Sequence, residues 1–301
     1  KSQYESDCLD LSKKQMDAGQ AIILAWWLSL PVSAALTSLT LDKNGIFGEL
    51  VYRFSDCRVK TPDKHAAEAQ PFFDAIKASG LTSLSLSGTG MGPVSCGKLA
   101  GAVSAALTSL TAICNPHIGE SGANSLIKAF DSNPQLQTMC GIEPGSTVAD
   151  LSKKNMGPAD CLLLAHLLQM SRANAALTSL NVSGNFPAGR ISRGNGGQAP
   201  WLPGTEFEPW TIFCDALQAS HVSNLIMSDC YLGPEAIQIL ATRFSAALTS
   251  LNFSDNNIGG PTARSFELID GVLPIDAEPM PGCFVDDRGK LFKIVSVAGE
   301  T

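Results

Sequence analysis

The sequence predicts an α/β solenoid in which short parallel strands alternate with helices, coil stacked upon coil. Three observations predict it. One phrase recurs at Ala35–Leu39, Gly80–Leu84, Ala106–Leu110, Ala176–Leu180 and Ala247–Leu251, each time ending Leu-Thr-Ser-Leu. An Asn follows four of these copies at a fixed offset, as Asn44, Asn115, Asn185 and Asn256. Helix-forming segments separate the copies, as at Gly122–Phe130 and Pro158–Met170.

The strands come first. Leu39 and Leu41 alternate with Ser38, Thr40 and Asp42, so a short strand here turns its leucines toward a core and its hydroxyls away from it. Leu36, Leu39, Leu41 and Asn44 keep the spacing L-x-x-L-x-L-x-x-N. So do Leu107, Leu110, Ala112 and Asn115; Leu177, Leu180, Val182 and Asn185; and Leu248, Leu251, Phe253 and Asn256. Weaker copies put Thr89 and Cys230 at the Asn position, and two more put Lys14 and Lys154 there.

At the turn, an Asn amide carries both donors and an acceptor. It can satisfy backbone groups of adjacent coils that would otherwise be buried unpaired. Asn44, Asn115, Asn185 and Asn256 are therefore expected to be structural turn residues. Helices follow, with Pro158 suited to a first helical turn. Trp26 and Trp27 are adjacent, so both cannot face the core of one helix.

A strand plus a helix in about 28 residues resembles the ribonuclease-inhibitor-like class of leucine-rich repeats. The resemblance covers roughly residues 8–270. It implies a horseshoe with parallel strands on the concave face and helices on the convex face. It also implies protein partners and an intracellular setting, cytoplasmic or organellar.

A longer period lies over the short one. Asp10–Met16 recurs as Asp150–Met156, Asn44 is matched by Asn185, Thr89 by Cys230 and Asn115 by Asn256. Ile22–Ala25 is matched by Leu162–Ala165, and Phe72, Asp74 and Ala75 by Phe213, Asp215 and Ala216. The expected organisation is a first repeat block over 1–147, a tandem second block over 148–272 and a C-terminal segment over 273–301. In that segment, Phe284–Leu291 followed by Phe292–Val297 reads as a hairpin, either capping the array or opening a further domain. Residues 134–149 read as a truncated coil and loop at the block junction.

The duplication includes its irregularities. An insertion after Asn44 carries Tyr52, Arg53, Phe54 and Arg58. Another after Asn185 carries Arg190, Arg193, Trp201 and Phe207, with Trp210 close behind. Both leave the coil between strand and helix. Long loops without secondary structure of their own are uncommon unless functional or disordered, and aromatic residues beside Arg make an interface-like composition that is unusual for disorder. These nine residues are the candidate partner-binding set. The strand face offers Ser38, Thr40, Asp42, Ser83, Ser85, Ser87, Ser109, Thr111, Ile113 and, in the second block, Ser179, Asn181, Ser183, Asn224, Ile226, Ser228, Ser250, Asn252 and Ser254. It lacks the Trp, Tyr and Arg on which protein hot spots are built, and the stacking aromatic a glycan site uses.

The totals limit the alternatives. Of 301 residues, 16% are charged and the net charge is −7. No basic stripe is available to neutralise phosphates, which argues against nucleic acid. The longest apolar run, Ala21–Leu30, is about half the ~20 residues that span a bilayer. The nine cysteines are odd in number and form no C-x-x-C pair, which favours a reducing compartment. The glycines of Gly88–Gly92 lack the spacing and the acidic residue of a dinucleotide loop. The histidines form no metal motif. No cofactor, metal or catalytic residue is expected. The leading expectation is a non-enzymatic interaction scaffold, acting alone or as a subunit of a larger assembly. The alternatives are a regulator that activates a small GTPase through Arg53, Arg190 or Arg193, and a small-ligand or glycan-binding solenoid.

Overall fold

The computed structural model describes residues 6–53, 56–170, 176–191, 202–256, 267–268, 283–285 and 291–293. They form two compact units, Lys1–Pro144 and Gly145–Thr301.

The first unit runs β1 (Cys8–Asp10), α1 (Ala18–Leu28), β2 (Ser38–Thr40), β3 (Glu49–Arg53), β4 (Asp56–Thr61), α2 (Gln70–Ala78), β5 (Ser83–Ser85), α3 (Pro93–Ala102), β6 (Ser109–Thr111) and α4 (Gly119–Ser132). Strands β1-β2-β5-β6 make one parallel sheet in that order. A short coil closes its far end. Leu110 N–H donates to the Thr138 carbonyl at 2.9 Å and Ala112 N–H to that of Met139 at 3.2 Å. Leu136, Met139, Cys140 and Ile142 are buried there.

The second unit repeats the plan with β7 (Val148–Asp150), α5 (Pro158–Gln169), β8 (Ser179–Asn181), β9 (Arg190–Ile191), β10 (Leu202–Pro203), α6 (Phe207–Ala219), β11 (Asn224–Ile226), α7 (Pro234–Ala241) and β12 (Ser250–Asn252). Strands β7-β8-β11-β12 are parallel, and β13 (Glu267–Leu268) joins β12 antiparallel. Farther on, β14 (Cys283–Val285) pairs antiparallel with β15 (Leu291–Lys293).

The recurring phrase now has a reason for each letter. Its second Leu sits mid-strand and is buried, as at Leu39, Leu84, Leu110, Leu180, Leu225 and Leu251. The Thr before each strand donates its hydroxyl to a carbonyl of the preceding coil. Thr37 bonds Asp7, Thr82 bonds Thr37 and Thr108 bonds Thr82, at 3.2, 3.2 and 3.0 Å. The second unit repeats this with Thr178 on Thr147, Ser223 on Thr178 and Thr249 on Ser223, at 3.2, 3.2 and 3.1 Å. These bonds step 30, 45 and 26 residues in the first unit, and 31, 45 and 26 in the second. The coil is therefore not of uniform length, and the long step in each unit is the one that holds the insertion.

Each turn Asn clamps two coils. Asn44 Oδ1 accepts from the N–H groups of Lys14 and Met16, both at 3.0 Å, while its Nδ2 donates to the carbonyls of Leu11 and Leu41, both at 2.8 Å. Asn185 does the same between Lys154, Met156, Leu151 and Val182. Asn115 and Asn256 serve Thr89 and Met91, and Cys230 and Leu232. Where Thr89 replaces Asn, its hydroxyl reaches only the Leu86 carbonyl. Cys230 offers its thiol to the Val182 carbonyl. Both replacements fall in the coil after an insertion, where the preceding chain has left its usual path.

The residue before each of these positions is left-handed, whether Lys13, Lys43, Cys114, Lys153, Asp229 or Asp255, or the glycines Gly88 and Gly184. A non-Gly residue in this region costs energy, and the Asn bonds that follow hold it in place. Two strand-face expectations fail, at Ser87 and Ile113, both of which are buried. Ile113 is only 2% exposed, because after Thr111 the chain turns inward under the truncated coil.

Candidate protein-binding surfaces

The two insertions, expected as loops, begin and end as antiparallel ribbons. Leu50, Val51, Tyr52, Cys57 and Val59 are good strand formers. They pair β3 with β4 in the register Val51 to Arg58, Tyr52 to Cys57 and Arg53 to Asp56. In the second unit Arg190 pairs with Pro203 and Ile191 with Leu202. Tyr52, Arg53, Arg58 and Arg190 thus lie on ribbon strands. Phe54, Arg193 and Trp201 lie outside the described residues.

The root of the first ribbon is packed tightly. Phe47 is fully buried and stacks on Phe73 with ring centres 5.2 Å apart, with Phe72 at 6.1 Å. Gly48 passes so close to the next coil that a Cβ there would sit 2.6 Å from the Gly90 carbonyl oxygen. Gly90 itself has φ +78°, so this crossing accepts glycine on both sides. Glu49 Oε1 accepts from Lys60 at 3.0 Å and Oε2 from Lys64 at 2.8 Å. Hydrogen bonds from Lys64 and then Lys60 hold its carboxyl down to about 2.

Below the ribbon, Asp63 serves as a cap from another coil. Its carboxylate accepts from the N–H groups of Gly92, Val94 and Ser95 at 2.9, 2.7 and 3.0 Å, at the start of α3. Sequence reading missed Asp63, because its partners lie about thirty residues downstream and no local capping motif joins them.

One candidate is corrected outright. Trp210 is expected at the partner surface, yet it is fully buried on α6. Its Nε1–H donates to the Ala236 carbonyl at 2.8 Å, and its ring lies 5.7 Å from Phe213. Phe207 begins α6 and is half-buried.

Part of the strand face is engaged with itself. Asp42 Oδ1 accepts from the Ser85 hydroxyl at 2.6 Å and the Ser87 N–H at 2.9 Å. Ser228 donates to Ser183 at 3.0 Å, and Asn224 to Ser179 at 2.9 Å. Asn181 and Asn252 accept from the N–H groups two residues on, closing the turns after their strands.

A second surface lies on the helix side of the first unit. On α1, Ala18, Ala21, Leu24 and Ala25 face the core. Ile22, Ile23 and Trp26 are 39%, 64% and 63% exposed. Beside them a groove of about 430 Å³ runs between α1 and α2, lined by Ile22, Ala25, Trp26, Pro71, Ala75 and Ala78, with Asp74 at its rim. The Trp26–Trp27 pair is the sequence signal that points here.

Among the described residues, no group of three His, Cys, Asp or Glu could hold a metal ion, and no helix is long and apolar enough to cross a membrane. Cys96, Cys114, Cys140, Cys161, Cys214 and Cys230 are buried, and burial pushes the Cys230 thiol up to about 12. They act as small apolar side chains.

Residues 245–266 match a family model described as a leucine-rich repeat. The match begins just before β12 and includes Asn256. No curated protein matches the chain. The chain thus carries a leucine-rich repeat, and the strand–helix alternation with parallel strands fits that fold in each unit. Leucine-rich repeats as a class are protein-binding modules.

Proposed function

We propose that the chain is a non-enzymatic interaction scaffold of the ribonuclease-inhibitor-like type, a subunit of a larger intracellular assembly, that takes hold of a protein partner through its two ribbons. One observation carries the reading. Each unit grows a ribbon from the same place in its coil, after Asn44 and after Asn185, and the first rises beside the buried rings of Phe47, Phe72 and Phe73. A paired ribbon holds its strand backbone in place before a partner arrives, so binding loses less entropy. Tyr52, Arg53 and Arg58 on the first ribbon, Arg190 on the second, and Arg193 and Trp201 in the sequence of the second insertion supply the residue types that dominate protein hot spots.

Cross-linking mass spectrometry on a native extract tests it, followed by capture with ribbon variants. Links should concentrate in residues 45–64 and 187–208 and join one recurring partner. Tyr52→Ala with Arg53→Ala, and separately Trp201→Ala, should weaken capture by about 30-fold or more while thermal melting stays unchanged. Full capture by both variants would refute the assignment.

A further inference from the structure

The hydroxyl of Thr61 stands at an exposed corner of the first unit. Thr61 ends β4, so the chain leading to it is already extended. Pro62 follows, and Asp63, with φ +57°, turns the chain away. Thr61 and Lys64 are both exposed. The run Thr61-Pro62-Asp63-Lys64 thus offers a hydroxyl, then an imino acid, and a cation three residues on. Pro has no N–H, so a substrate cleft that gives the next residue no acceptor takes Pro and turns others away. A cation at the third position suits an acidic or phosphate-bearing rim of that cleft. This is the recognition chemistry of a proline-directed serine/threonine kinase.

The surroundings of the hydroxyl also fit the product. Thr61 pairs with Glu49 across the ribbon, and its hydroxyl donates to Glu49 Oε2 at 3.5 Å. The same Oε2 accepts from Lys64 at 2.8 Å, while Oε1 accepts from Lys60 at 3.0 Å. Two lysines therefore meet on one carboxylate beside the hydroxyl, forming an anion receptor that holds a single charge. The Lys60 and Lys64 side chains are 60% and 46% exposed, and links so open to solvent are weak and easily exchanged. A phosphate on Thr61 would bring about −1.5 to −2 charge and three acceptor oxygens to the same place. The ribbon itself does not require this set. At the corresponding place in the second unit Arg190 pairs with Pro203, with neither a carboxylate nor a hydroxyl.

We propose that Thr61 is a phosphorylation site for a proline-directed serine/threonine kinase, and that the phosphate takes Lys60 and Lys64 from Glu49. In the transfer, Thr61 Oγ1 forms a bond to the γ-phosphorus of ATP as the bond from that phosphorus to the β–γ bridging oxygen breaks. ADP leaves with the electron pair, and the hydroxyl proton passes to the catalytic carboxylate of the kinase. Glu49 then faces the phosphate as a like charge and is driven off, which remodels the root of the ribbon. The proposal stands without the ribbon's role in partner binding.

The test incubates the 301-residue chain with MgATP and a purified proline-directed kinase and locates phosphate by fragmentation mass spectrometry. Thr61 should become phosphorylated. Pro62→Ala should slow the reaction at Thr61 by about 10-fold or more, with unchanged melting. A chain left unmodified at Thr61 overturns the site, whether or not a free peptide of residues 57–67 is modified. So does a rate indifferent to Pro62→Ala. Phosphorus NMR titration of the phosphorylated chain reads the exchange of partners. Lysines that hold the phosphate lower its second ionisation below that of the phosphorylated peptide, which lies near about 6, and Lys60→Ala raises it again. A midpoint above that of the peptide would show that Glu49 keeps both lysines, and would overturn the exchange.

Discussion

Replacing Asn115 by Ala removes four hydrogen bonds at once. The side chain accepts from Thr89 N–H at 3.0 Å and Met91 N–H at 3.3 Å, and donates to the carbonyls of Leu86 at 2.9 Å and Ala112 at 3.0 Å. Asn115 is fully buried, so none of the four backbone groups has ready access to water. Each orphaned group costs about 1–3 kcal/mol, which sets a ceiling of about 4–12 kcal/mol. Water entering the vacated space recovers part of this, so the expected loss is about 3–5 kcal/mol. That is a large share of the ~5–15 kcal/mol that holds a domain together. The assay is urea denaturation followed by circular dichroism, with hydrogen exchange on the amides of Thr89 and Met91, which should lose protection first. Asn115→Asp gives a second reading. It keeps the acceptor but presents a carboxylate oxygen to two carbonyls, so the fold favours its protonated form. Its stability should therefore rise as pH falls through the raised folded pKa toward the ordinary carboxylate value, and be flat above that window. A loss below about 1 kcal/mol for Asn115→Ala, with those amides still protected, would refute the clamp.

Two further outcomes follow from the same reasoning. Trp210→Ala should cost about 3–5 kcal/mol by chemical denaturation, and Trp210→Phe about 1–3 kcal/mol, because the Ala236 carbonyl loses its donor; wild-type stability in both would place Trp210 at the surface after all. Glu49 should stay ionised well into acid. Its folded carboxyl lies at about 2 against an ordinary 4.5, so the link to Lys60 and Lys64 contributes fully above pH 4.5 and is lost as pH falls from there through about 2. Carbon-detected NMR titration of the Glu49 carboxyl checks this, and a midpoint at 4.5 would show the ribbon root to be open.

Much of the molecule was legible in order. The leucine spacing fixes which strand residues face inward, since alternation is a property of the strand alone. The Asn positions announce their role because an amide with both donors and an acceptor is the side chain suited to bridging two backbones. The insertions were visible as interruptions in the count, but their ribbons were not. Cross-strand pairing of Val51 with Arg58 depends on two segments returning to each other, and no local spacing records that. Trp210 misled for a related reason. Read along the chain it stands beside an insertion rich in Arg and aromatics, and only the packing of α6 against α7 turns its ring inward and hands its N–H to Ala236.

Asp63 and Trp26 mark the division most clearly. By itself the sequence determined the repeat, its core residues and its turn clamps, because each of these is written in periodicity. The tertiary structure alone decided which identical-looking residues end up covered. Ile23 and Leu163 occupy the same place in the same repeat, yet one is 64% exposed and the other fully buried. Burial is settled by what stacks against a helix, and that neighbour lies outside the period that specifies the helix.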